Sequence, residues 1–150
     1  MALVIAPEVP RRRGRAGFVL TLLAGAMIFV AHTILASMVF TGQEIPMPPI
    51  SGGPGTIALV ILLALSMLAL TGVGLVLSPL VLVGAFLIHA GHGTAGGIVS
   101  VIFGSLNLAV GLALILLWLW QAVWGLVVCV LLVAGSLLAL VGGGLGVAGI

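Results

Sequence analysis

From Ile45 to Ile150 the chain runs 106 residues without an aspartate, glutamate, lysine or arginine. A soluble domain needs solvated side chains across its surface to stay dispersed, so this stretch cannot be one. Six such charges exist in all: Glu8, Arg11, Arg12, Arg13, Arg15 and Glu44. With 63% of the residues apolar, the chain is also far too hydrophobic to be disordered. The pI near 10.2 arises from one arginine cluster and does not point to nucleic acid. The expected fold is therefore all-α: a polytopic integral membrane bundle of four transmembrane helices, with five as the alternative. Cys129 stands alone, so no internal disulfide can form, and it reads as a small packing residue inside an apolar run.

Pro7 and Pro10 break any helix in residues 1–15, which form an N-terminal arm. Its arginines, Arg11, Arg12, Arg13 and Arg15, are interface anchors that hold this end in the cytoplasm of a cell-membrane protein. Residues 16–150 form one transmembrane domain. The first span, Ala16 to Phe40, is long enough for a hydrocarbon core that takes about 20 residues. It is too long for the h-region of a signal peptide, usually about 7–15 residues. Thr41 to Pro54, rich in proline and glycine, is an extended outer loop.

Thr56 to Ile88 is harder to divide, because a single helix of that length greatly exceeds a bilayer core of about 30 Å. The preferred division is a span over 55–77, with a Pro79-kinked extension to 88 that lies in or re-enters the inner leaflet. The alternative turns the chain near Gly72 to Gly74 and makes five spans. His89 to Gly97 is the next break, and spans at 98–120 and 123–147 follow. Trp118, Trp120 and Trp124 around Gln121 mark an interface, because indole rings collect at the headgroup boundary. The glycine-rich tail VGGGLGVAGI is expected to fray.

Lipid gives no hydrophobic drive for helix association, so small residues must supply close packing. At 100° per residue, Gly17, Thr21, Gly25, His32 and Ala36 fall within an arc of about 100°. Gly97, Ser100, Gly104, Asn107 and Gly111 fall within about 80°, and Gly125, Cys129, Ser136 and Gly143 within about 40°. The residues expected to carry helix packing are Gly17, Gly25, Ser100, Gly104, Asn107, Gly111, Ser136 and Gly143. Asn107 should point inward and hydrogen-bond another helix.

His32, His89 and His92 are the three histidines of the chain, a residue type that serves as hydrogen-bond partner and as metal ligand. His32 shares a packing face, which suits a structural hydrogen bond. The sharper alternative is a b-type haem with His32 and either His89 or His92 as axial ligands. Both must then lie at one membrane depth, and the span boundaries place them at different ones. The i, i+3 pair in His89-Ala90-Gly91-His92 gives half of a tetrahedral metal set; an interfacial polar pair is the plainer role.

No carboxylate lies in any span, which argues against ion-coupled transport and intramembrane hydrolysis. There is no lysine and hence no phosphate loop ending in one. The stretch HGTAGGIVSVIFGSLNLAVG (92–111), followed by LLVAGSLLALVGGG (131–144), resembles the GG…S…G pattern of small four-helix prokaryotic membrane proteins. That resemblance implies four spans and nothing about chemistry. The expected role is a non-catalytic membrane subunit with no cofactor, whose partners are the lipid bilayer and either other membrane subunits or copies of itself. A haem-binding electron-transfer subunit, and a small oligomeric channel or transporter for a neutral solute lined by Asn107 and His32, are the alternatives.

Overall fold

In a computed structural model, residues 14–41, 53–116 and 123–150 are described, with side chains from residue 125 in the last segment. They form four helices: α1 (Arg15–Thr41), α2 (Pro54–His89), α3 (Gly93–Leu116) and α4 (Val123–Ala148). All four are long and apolar enough to cross a membrane. A lipid-embedded backbone must satisfy its own polar groups, which leaves the helix as the only secondary structure open to these leucine- and valine-rich runs. Each helix packs on two neighbours, α1 and α3 both lying against α2 and α4, while the diagonal pairs hardly touch. The chain is thus an up-and-down helical bundle. Arg11, Arg12, Arg13, the 42–52 loop, Trp118 and Trp120 lie outside the described residues, as does the side chain of Trp124.

The α2–α3 turn shows how sequence sets a boundary. Gly91 has φ 89°, a left-handed conformation that costs glycine nothing. It lets His92 N–H donate to Leu87 O (2.9 Å) and Gly91 N–H to Ile88 O (3.1 Å), the paired bonds of a Schellman close. α4 ends the same way. Gly149 has φ 74°, and Ile150 N–H donates to Leu145 O at 3.0 Å.

The long apolar segment is one helix, as the preferred four-span division has it, and the placing of its surplus length needs correction. α2 is continuous through Gly72–Gly74, so the chain does not turn there and the fifth span is not made. Pro79 sits inside the helix, where it removes the N–H that would bond Leu75 O. Ser78 Oγ lies 3.4 Å from that same carbonyl and donates to it, a local repair available to prolines in membrane helices. The excess length also falls at the other end. The residues of α2 buried in the bundle run from Met67 to Ile88, whereas none from Pro54 to Ser66 is buried.

The tail differs too. It is helical to Ala148, and Gly142, Gly143 and Gly146 are buried. A Cβ at Gly142 would come within 2.6 Å of Thr21 Oγ1, and one at Gly146 within 2.6 Å of Ile88 Cδ1. Glycine's poor helix propensity is offset by the interhelical contact that only glycine permits.

Gly72 and Gly144 have nothing within 4 Å of a built Cβ. Gly72→Ala and Gly144→Ala are therefore expected to melt within about 0.5 kcal/mol of the parent. Thermal denaturation in mild detergent measures this, and a loss above about 1 kcal/mol would show that these faces are packed.

Candidate functional site

Seven polar side chains of the helices lie on the inner faces of the bundle, while Thr33, Ser37 and Ser105 face outward and bond their own helix. Thr21, His32, Thr71, Ser78, Ser100, Asn107 and Ser136 are all buried. Some spend their hydrogen bonds within their own helix: Thr71 Oγ1 donates to Met67 O (2.7 Å) and Ser100 Oγ to Gly96 O (2.8 Å). This satisfies the hydroxyl and lets it sit among small residues without a partner helix.

His32 has no solvent exposure. Its Nδ1 lies 2.9 Å from Ile28 O, and a carbonyl can only accept, so Nδ1 carries a proton; in the neutral ring Nε2 then holds the lone pair. The ring edge bearing Nε2 presses on α2 at Gly74, where a Cβ would overlap the imidazole. What meets the ring is the glycine's own Cα–H. Among the described residues Nε2 has no hydrogen-bond partner, and neither do Asn107 Oδ1, Ser136 Oγ and Thr21 Oγ1.

Asn107 lies on α3 between Gly104 and Gly111, which face Ala139 and Leu132 of α4 respectively. Its Nδ2 donates to Phe103 O at 2.8 Å, so this bond is made inside its own helix, whereas the sequence suggested a bond to another helix. Gly17, Gly25, Ser100, Gly104, Gly111, Ser136 and Gly143 are buried along with it. Gly17 lies against Gly142 and Gly146, Gly25 against Leu82, and Gly143 against Gly97.

The helix register keeps the histidines apart. His32 is level with Gly74, while Phe18 is level with His89, their ring centroids 4.7 Å apart. Fourteen residues of α1 separate the two levels, about 21 Å at 1.5 Å per residue. One iron cannot take both rings, and Gly74 occupies the space a metal on His32 Nε2 would need. A haem between His32 and His89 or His92 of one chain does not fit. His89 closes α2 and His92 precedes α3, with left-handed Gly91 between them, so they do not share a helical turn. Among the described residues no three histidine, cysteine or acidic side chains come together.

The second span carries a packed face as well. On α2 the buried residues Thr71, Gly74, Ser78, Val81 and Ala85 repeat at three and four, the signal of a packed face. In the sequence Gly74 reads as part of the alternative turn. Gly84 and Gly96 bring α2 and α3 into backbone contact, a pairing that no single-helix wheel shows; a Cβ at Gly96 would stand 2.5 Å from Gly84 O. No protein-family model, curated protein or solved structure matches this chain.

Proposed function

We propose that the chain is a non-catalytic, multi-pass membrane subunit that docks through the projecting end of α2 into a larger membrane complex or homo-oligomer, with its N-terminus cytoplasmic. The projection of α2 past the end of α1, unburied by any described residue, supports this reading. At 36 residues the helix is about 54 Å long, against a bilayer core of about 30 Å. Counting from the His32–Gly74 contact, the end of α1 at Thr41 is level with Leu65. Pro54 to Ala64 therefore extend about 16 Å further.

Tilt does not absorb the excess, because even a tilt of about 40°, the top of the usual range, leaves a helix of this length well beyond the core. Nor does a shift in depth, since the stretch from Phe18 to Thr41 already covers about 36 Å. Ile57, Leu59, Ile61 and Leu62 are each at least 50% exposed, and a protein face this apolar is a mark of an interaction site. The inner faces are filled by the chain's own small residues, which leaves His32 and Asn107 facing the interior of a single bundle.

The test is native mass spectrometry of protein extracted from its own membrane in mild detergent, with a photo-crosslinker at Leu62. A mass above 15.0 kDa by a second polypeptide, crosslinked at Leu62, supports the reading. A monomer that crosslinks only to lipid overturns it.

A further inference from the structure

We infer that the bundle end carrying Arg15, His89 and His92 binds the phosphate of an anionic phospholipid headgroup. The inference rests on the membrane-spanning reading and is independent of docking through α2. Arg15 and Phe18 stand three residues apart on one face of α1. The Phe18 ring lies against His89, tilted by 37°, so His89 is one helical turn from Arg15. The Gly91 turn then returns the chain to the same level, where His92 is the residue before α3. All three side chains are exposed.

Arg15 is the single Asp, Glu, Lys or Arg among the described residues, so no described carboxylate side chain pairs with it. The start of α1 is already engaged, with Gly17 N–H donating to Ile150 O at 3.3 Å. Four helix ends meet at this level, the starts of α1 and α3 and the ends of α2 and α4, so their dipoles oppose one another and an anion is left to the side chains. A guanidinium gives paired donors matched to phosphate, and each imidazole adds another.

Two features favour a lipid phosphate over a free one. The cluster caps an apolar slab, which is the depth of headgroups. Directly beside it Val19 and Phe86 are 56% and 60% exposed, an apolar wall along which the acyl chains of a bound lipid would lie.

The experiment is native mass spectrometry of the purified chain in mild detergent, with phosphatidylglycerol and phosphatidylcholine added at equal concentration. Phosphatidylglycerol adducts should exceed phosphatidylcholine adducts at least about fivefold, and the excess should shrink with added salt. Arg15→Gln combined with His92→Gln should bring the ratio near one without changing the melting temperature, while Arg15→Lys keeps most of the preference. Inorganic phosphate at the same phosphorus concentration should not displace the lipid. Equal adducts in the parent, or a ratio untouched by the double substitution or by salt, overturns the site. Displacement by phosphate alone overturns the lipid assignment. Adducts can be counted on monomer or complex alike, so the outcome does not depend on the docking reading.

Discussion

Gly74→Ala is expected to separate α1 from α2 in the middle of the bundle. The added methyl would lie inside the His32 imidazole, and the ring cannot swing clear while its Nδ1 is bonded to Ile28 O at 2.9 Å. Overpacking of this kind costs about 1–3 kcal/mol, and a direct overlap belongs at the upper end. A loss near 3 kcal/mol corresponds to a fall in melting temperature of roughly 6–12 °C for a chain of this length.

The obstacle is a side chain, so the damage should be reversible. His32→Ala alone leaves a cavity and is itself destabilising. The double variant removes the clash and partly refills the space, so it should melt above Gly74→Ala alone, with a coupling of about 1–3 kcal/mol. Additive losses in the double-mutant cycle would falsify direct contact between these two positions.

The same contact explains how much of the fold the sequence carried. The membrane class followed from the absence of charge, because no soluble arrangement can shield so long an apolar run. The number of helices followed from length, except in the second segment. There Thr71-Gly72-Val73-Gly74 and Pro79 resemble punctuation, and in water they would break a helix. In lipid the cost of an unbonded backbone reverses that preference, and Ser78 supplies the bond that Pro79 removes.

Where the surplus length falls was not legible. It depends on which residues of α1 pair with α2, and hydropathy is nearly uniform along both. The His32–Gly74 contact fixes that register, but it becomes visible only when the two helices are brought together. The glycine repeats of α1, α3 and α4 were readable as faces because their spacing survives any register. The unpartnered atoms of Asn107 and Ser136 could not be foreseen, since a hydrogen bond depends on side-chain direction as well as on shared burial.

Gly97→Val is expected to do comparable damage between α3 and α4, and no second substitution should repair it. A Cβ at Gly97 would collide with the Gly143 carbonyl oxygen and stand 2.7 Å from both Val147 N and Val147 Cγ2. The approach is mutual, for a Cβ at Gly143 would stand 2.8 Å from Gly97 O. Only the Val147 methyl among these is a side-chain atom, so the helices themselves must part. A loss of about 3 kcal/mol or more is expected. Adding Val147→Ala should recover little of it, in contrast to the repair of Gly74→Ala by His32→Ala. Thermal melts of the four variants in one detergent distinguish the two mechanisms. Rescue of Gly97→Val by Val147→Ala would mean that side chains set the spacing at both interfaces; its failure would mark α3–α4 as a pair held by backbone contact, with α1–α2 locked by a ring on a glycine.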